Sequence, residues 1–353
     1  MSETSNVYQI SLNRHTAFFV SSDLQRFIQG LEGRKLLFFP KNIEQTVSNL
    51  GLSGISLHPL SDGEDLKSIS GIQNILDIMM KENPARSDYV LALGGGSITD
   101  AVAFSASVYK RGIRLVNIPT TFLGMVDAAI GGKTGINFLG RKNMLGTFYF
   151  PEIVIAYLPF VATLPEDNFR DGLVEMIKYG IIMDSGLLDD ISENSAQLVS
   201  RVPEVLSRLI SRSVENKMNV VKQDPLEESG LRSKLNFGHT IGHAIESASD
   251  YAISHGKAVS VGMVMEAMFA EEELGVDHKV HREIAAVLKR FSLPTKPEEL
   301  NHSLDSERMK KAMVHDKKSS GVTILMPVVE NIGSSAVKAV QMNILEEFVE
   351  SQF

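Results

Sequence analysis

The chain contains no cysteine among its 353 residues. Disulfides and thiolate catalysis are therefore excluded, and any bound metal must use histidine and carboxylate ligands. No uninterrupted apolar run approaches the roughly 18 residues of a membrane span. The opening residues, MSETSNVYQISLNRH, lack a basic stretch followed by an apolar one, so no secretory signal is expected. Positive charge is also in deficit, with 35 Lys and Arg against 43 Asp and Glu and a formal charge of -8. That balance argues against a nucleic-acid partner, which usually meets a basic face. It leaves anionic small molecules open, because a few local cations can dominate a pocket. Internal repeats and low-complexity segments are lacking too. The expectation is a cytoplasmic enzyme with neither a membrane nor a nucleic-acid partner.

The length suits two domains, and 43% hydrophobic residues provide enough core for both. Apolar runs at 35–40 (KLLFFP), 54–60, 89–96, 114–121 and 153–158 predict strands, with helical patterns at 42–51, 65–82 and 98–110 between them. Strands alternating with helices predict a Rossmann-like α/β domain with a mostly parallel sheet. From Gly172 to about Arg290 apolar residues recur every three or four positions, so the second half is expected to be mainly α-helical. GVTILMPVV and SSAVKAV near the end predict a short β-pair. The expected boundary falls near Leu164, giving domains at 1–164 and 165–353.

YVLALGGGSITDAVAF reads as strand, glycine turn and helix. Its glycines allow a phosphate to approach the backbone, and the helix start supplies unpaired N–H groups. The spacing is not GxGxxG, so the plainer reading, a simple strand-to-helix turn, stands beside it. Asp100 can cap that helix or meet a ribose. Thr120 and Thr121 end the next strand, where open α/β sheets bind ligands. Residues 126–146, VDAAIGGKTGINFLGRKNMLG, read as a flexible basic loop carrying Lys133, Arg141, Lys142 and Asn143, with Asp127 at its entrance. Such a loop suits a phosphate or a polyhydroxylated acid. The plainer alternative is a solvated surface loop.

Three histidines lie close together in LNFGHTIGHAIESASDYAISHGK: His239, His243 and His255. Leu235 to Ala248 has a helical pattern, so His239 and His243 share a face. Residue 240 is Thr, so the base of an H-E-x-x-H metalloprotease is lacking. Upstream, Glu175 and Lys178 lie three apart on another helix. A catalytic zinc takes three protein ligands and leaves one position open. By spacing alone, Glu175 with any two of the three histidines would serve. The plainer reading of Glu175 and Lys178 is an exposed intrahelical ion pair.

GGGSITD, IPTTFLGMVDAAIGGKTGIN, RKNMLG, GLVEMIKYG, RSKLNFGHTIGHAIE and HGKAVSVGM resemble, in order and spacing, the motifs of 3-dehydroquinate synthase, a family of sugar-phosphate cyclases. SDGEDLK and HDKKSSG resemble its outer motifs. The resemblance implies that Glu175, His239 and His255 hold Zn2+ or Co2+, while His243 faces substrate. It implies NAD contacts from Asp62, Gly63, Glu64, Lys67, Gly96, Ser97, Ile98, Thr99, Asp100, Thr120, Thr121, Lys133, Lys142, Phe160 and Thr163. Around a phosphorylated sugar acid it places catalytic Lys133, Lys178, His243, Asn143 and Asp127, with Lys217, Arg232, Asn236 and Lys317 binding substrate.

The reaction so implied converts 3-deoxy-D-arabino-heptulosonate 7-phosphate to 3-dehydroquinate and phosphate, in the shikimate pathway. Transient oxidation by NAD+ precedes phosphate elimination, reduction, ring opening and an intramolecular aldol closure. Arg111 precedes a strand whose far end carries Thr120; six residues at about 3.3 Å each put the two ends about 20 Å apart. The resemblance implies that Arg111 reaches the substrate phosphate of a neighbouring subunit in a two-fold homodimer. The chain departs from the family pattern in three places. Thr99 precedes Asp100 where a glycine is common, Phe138 and Leu139 replace a frequent His-Pro, and Val174 precedes Glu175 where a small residue is usual. Other readings are a different sugar-phosphate cyclase, a metal-dependent polyol dehydrogenase and a nucleotide-binding regulator with a degenerate site. The cations Lys133, Lys178, Arg232 and Lys317 argue against the dehydrogenase, and the filled motif positions against the regulator.

Overall fold

The short apolar runs of the first half become one sheet. The structure is a computed structural model that describes residues 8–11, 16–316 and 323–352. It divides into two units, Met1–Pro165 with Leu206–Met218, and Glu166–Val205 with Asn219–Phe353. In the first unit, β1 (Tyr8–Ser11), β2 (Ala17–Ser21), β3 (Lys35–Pro40), β4 (Ser56–Leu60), β5 (Tyr89–Gly94), β6 (Arg114–Pro119) and β9 (Ile153–Tyr157) form one sheet. The spatial order is β1-β2-β9-β6-β5-β3-β4. β1 runs antiparallel to β2, and all the other pairings are parallel. Every residue of β5 is buried, as a strand covered on both faces requires. Helices α1 (Leu24–Gln29), α2 (Glu44–Asn49), α3 (Ile69–Glu82), α4 (Gly96–Val108) and α5 (Pro159–Ala162) accompany the sheet. Ile72, Ile75 and Met79 of α3, at helical spacing, join Ile98, Ala101 and Val102 of α4 and the inner residues of β3 and β5 in one core.

The basic segment at 126–146 is not a flexible loop. After a π-helical turn at Gly124–Ala128 it forms a hairpin, β7 (Lys133–Phe138) with β8 (Arg141–Phe148). Its glycines serve close pairing: a Cβ on Gly146 would lie 2.3 Å from the Thr134 carbonyl oxygen. The two-residue turn, Leu139–Gly140, has positive φ at both positions, the geometry that matches strand twist. The hydroxyls of Thr134 and Thr147 meet across the pair at 2.8 Å.

The second unit is mainly helical, as expected. It contains α6 (Glu166–Met183), α7 (Ser185–Glu193), α8 (Ser195–Val199) and both ends of α9 (Pro203–Gln223), whose middle groups with the first unit. There follow α10 (His239–Ala248), α11 (His255–Leu274), α12 (Val280–Arg290), α13 (Ser306–Asp316) and α14 (Met342–Gln352). The expected β-pair is present as β10 (Thr323–Asn331) and β11 (Ser334–Gln341). The helix expected from Leu235 starts only at His239, because Leu231–Asn236 winds as a 3-10 turn and Gly238 takes a φ of 80°. Ile241 and Ile245 of α10, Val261, Met265 and Phe269 of α11 and Leu345 of α14 share one core. The α10–α11 approach is close enough that a Cβ on Gly262 would lie 2.1 Å from the Gly238 carbonyl oxygen. No helix among the described residues is long and apolar enough to cross a membrane.

Candidate active site

In the first unit the expected cofactor residues gather around a buried lysine. Lys67 donates to Asp100 Oδ2 at 2.8 Å and to Asn143 Oδ1 at 2.5 Å. This joins the segment after β4, the start of α4 and the hairpin. Glu64 accepts from Asn137 Nδ2 at 2.9 Å and from Ser97 Oγ at 3.1 Å, while Asp62 accepts from Asn42 Nδ2 at 2.5 Å. Asp100 lies within α4 and pairs with Lys67 instead of capping the helix; burial pushes its carboxyl up, and Lys67 opposes that rise. Gly95 caps α4 without a side chain, the arrangement that leaves N–H groups for an anion. Ile98 is buried, and the Thr99 hydroxyl donates to Gly95 and Gly96 carbonyls, so these two can offer a ligand only their backbone. Thr120 N donates to the Gly94 carbonyl at 2.9 Å, which sets the two strand-end turns side by side.

Phe160 is buried and accepts at its carbonyl from the Thr163 hydroxyl at 3.1 Å. Lys133 and Lys142 stand exposed on the hairpin. The π-helical turn presents Asp127, and Lys217 Nζ donates to both its Oδ1 and its carbonyl oxygen at 2.7 Å. Arg111 is separate from all of these. It is exposed, with a φ of 62°, just before the amino end of β6, whereas Thr120 follows the carboxyl end.

In the second unit α6, α10 and α11 converge. Glu175 is completely buried and Lys178 is 2% exposed, so their ion pair is an interior one and not the surface pair of the plainer reading. Glu175 Oε2 faces Lys178. Its Oε1 lies 3.6 Å from His239 Nε2 and 3.7 Å from His255 Nε2. These separations exceed hydrogen bonds, and neither Glu175 oxygen has a hydrogen-bond partner among the described residues. Donor atoms around a tetrahedral ion with bonds of about 2.1 Å lie about 3.4 Å apart, so the three fit such an ion. Burial would raise the Glu175 carboxyl, but Lys178, His239 and His255 outweigh it and hold it well below the usual range.

The His239 ring is kept neutral by burial and by the Lys178 charge. Its Nδ1 lies 3.1 Å from the Phe237 carbonyl, which assigns the ring proton there and leaves Nε2 as a ligand atom. Burial disfavours charge on His255, yet the facing carboxylates of Glu175 and Glu246 raise it to about 10, so a proton must leave when a cation takes its nitrogen. His243, one turn beyond His239, has a 48% exposed side chain and a ring centred 5.2 Å from that of His239. His243, Glu246 and His255 form a second possible donor group that shares His255. Arg232 is buried and donates to the Pro225 carbonyl at 3.0 Å, while Asn236 is exposed. Lys317 lies outside the described residues.

Three residues here escaped the sequence reading. Asp224 accepts from the Glu228, Ser229 and Arg232 amides at 2.8, 3.1 and 3.2 Å. Burial would raise its carboxyl, but these bonds lower it to about 2. Glu246 Oε2 lies 3.4 Å from His255 Nδ1. Glu266 binds the start of α10. One signal was available: Glu266 follows His255 by eleven positions, close to three helical turns, and so shares its face.

The model of the 3-dehydroquinate synthase N-terminal domain matches residues 57–171, and that of its C-terminal domain matches 172–319. The chain belongs to the 3-dehydroquinate synthase family. The 3-dehydroquinate synthase of Sulfolobus acidocaldarius is 41% identical over 332 residues, 94% of either chain. That of Sulfurisphaera tokodaii is 40% identical over 339 residues, 96% of either chain. Among solved structures, 2-epi-5-epi-valiolone synthase of Streptomyces hygroscopicus, with NAD+ and Zn2+ bound, is 25% identical with a TM-score of 0.83, covering 99% of each chain.

Proposed function

We propose that this chain is a 3-dehydroquinate synthase that works with NAD+ and a divalent metal ion, Zn2+ or Co2+. The carrying observation is the Glu175–His239–His255 donor set, a buried carboxylate with two half-buried histidines, in a chain 41% identical to a synthase of that name. We assign the metal to this set and not to His243, Glu246 and His255. Glu175 offers a desolvated oxygen with no hydrogen-bond partner among the described residues, whereas Glu246 Oε2 already faces His255 Nδ1. When bound, NAD+ supplies a reversible hydride acceptor and the metal ion supplies a Lewis acid.

The residues around Lys67, the α4 start, Thr120 and Thr121 would hold the cofactor, with Phe160, Thr163, Lys133 and Lys142 beside them. Lys178 sets a buried positive charge next to Glu175, suited to an oxygen that becomes anionic when a hydroxyl is oxidised. His243, one turn past His239 with a half-exposed ring, would meet the phosphate and move a proton as it leaves. Arg232, whose backbone Asp224 holds, and Lys217 paired with Asp127 supply cation and carboxylate for a substrate that carries both a carboxylate and a phosphate. Asn143 and Asn236 add amide contacts. The active unit is a homodimer in which Arg111 serves the neighbouring subunit.

Phosphate release from 3-deoxy-D-arabino-heptulosonate 7-phosphate tests this reading. Release should stop after chelation and return on adding Zn2+ or Co2+. A chelated protein that turns over at the original rate would contradict metal dependence. Release only from a sedoheptulose or glucose phosphate would favour another cyclase, and the 41% identity to the synthase weighs against that outcome.

A further inference from the structure

We infer that Glu266 is a positioning residue for the metal ligand His239, an inference that rests on the metal-centre reading above. α10 begins at His239, and its N-cap is Gly238, which has no side chain to satisfy the first amides. The carboxylate comes instead from α11. Glu266, 1% exposed, accepts from Gly238 N at 2.8 Å through Oε2, and from Thr240 N at 2.9 Å and Ile241 N at 3.3 Å through Oε1. The bonded amides flank His239 on both sides in the chain.

A buried carboxylate persists only where such bonds offset its lost hydration. The positive end of the α10 dipole adds to that stabilisation. A local cap is sterically excluded. Position 238 has a φ of 80°, and a Cβ there would lie 2.4 Å from the Met263 side chain. The cap must therefore come from the partner helix. α11 thus provides His255 in its first turn and, about three turns later, the group that fixes the helix start bearing His239. With the flanking amides pinned and Nδ1 at the Phe237 carbonyl, His239 Nε2 is held in line with Glu175 Oε1 before any ion arrives. Outer groups of this kind typically change metal affinity by about 10–100-fold.

The test uses the full-length protein, stripped of metal and titrated with Zn2+ and Co2+. Glu266→Gln keeps the shape but puts an amide N–H2 against amide donors. It should fold by far-UV circular dichroism, bind Zn2+ about 10–100-fold more weakly and shift the visible Co2+ spectrum. Glu299→Gln, at an exposed position, is the control for losing a carboxylate–amide bond. Glu299 also accepts from a backbone amide, Thr295 N at 2.6 Å, but contacts no ligand helix start. It should lower the melting temperature and leave the Co2+ spectrum and Zn2+ affinity unchanged. If Glu266→Gln does not fold, Glu266→Asp, which keeps the charge at shorter reach, should show the same spectral shift at smaller amplitude. A wild-type spectrum and affinity in the folded Glu266 variant, or equal weakening by Glu299→Gln, would overturn the positioning role. A wild-type chain that binds neither ion would overturn the metal reading itself.

Discussion

His239 and His243 stand one turn apart on α10; His239 has one ring nitrogen at the Phe237 carbonyl and the other 3.6 Å from Glu175 Oε1. His255 completes the set from the next helix. We predict that His255→Ala loses tightly bound zinc, whereas His243→Ala retains it and loses turnover. Metal analysis of the two purified variants checks this, and zinc retained by the first but lost from the second would reverse the assignment. The chemistry of these residues was legible in the sequence: a chain without cysteine must use histidine and carboxylate donors, and three histidines cluster downstream of a helical Glu175. Which two histidines join Glu175 was not legible from spacing. That choice depends on how α10 and α11 approach at Gly238 and Gly262, a tertiary contact that helical periodicity does not encode. The same holds for Glu246 and Glu266, whose partners lie nine and more positions away.

Among the elements, the parallel strands announced themselves because they are buried on both faces and read as unbroken apolar runs, such as LLFF in β3 and VLAL in β5. The β7–β8 hairpin did not. Its strand β8 is exposed along most of its length, and its glycines, placed for cross-strand approach, read as flexibility. β2 was missed because its five residues, AFFVS, make a single short run.

A charge cluster also links three strands at their amino ends. Arg114, the first residue of β6, donates from Nε to Glu152 Oε2 at 2.7 Å, and its guanidinium lies 3.9 Å from the Tyr89 ring at the start of β5. The bond to Arg114 holds the Glu152 carboxyl below its ordinary value of 4.5, against a smaller opposing effect of burial. A depressed carboxyl stabilises the fold above its unfolded pKa, and that contribution is lost as pH falls through the folded value. Solvent exposure limits such a pair to about 0.2–1 kcal/mol. We predict that Glu152→Gln lowers the melting temperature at pH 7 by a small margin that fades at acid pH, as Glu152 takes up its proton below 4.5. Melting curves across that range check it; an equal difference at both pH values would exclude the ion pair as the cause.

For the whole molecule, Arg111 stands exposed before the amino end of β6, at the opposite end of the strand from Thr120. If it acts in a neighbouring subunit, inactive Arg111→Ala and inactive Lys178→Ala chains should regain activity when mixed under subunit exchange. A mixed dimer then keeps one site with both residues intact, about a quarter of the sites in a fully exchanged equal mixture by simple counting for a two-fold dimer. Persistent inactivity, with exchange verified, would place Arg111 in the service of its own site or of none.

If the site works as proposed, this protein carries out an oxidation and a reduction in one turnover, so that NAD+ is required and not consumed. The most direct measurement follows phosphate release and the absorbance of reduced nicotinamide together, with the zinc-loaded protein and the heptulosonate phosphate. Phosphate should accumulate over many turnovers with NAD+ present only in trace amount, while reduced nicotinamide does not accumulate. Reduced nicotinamide growing in step with product would contradict it and identify a dehydrogenase instead.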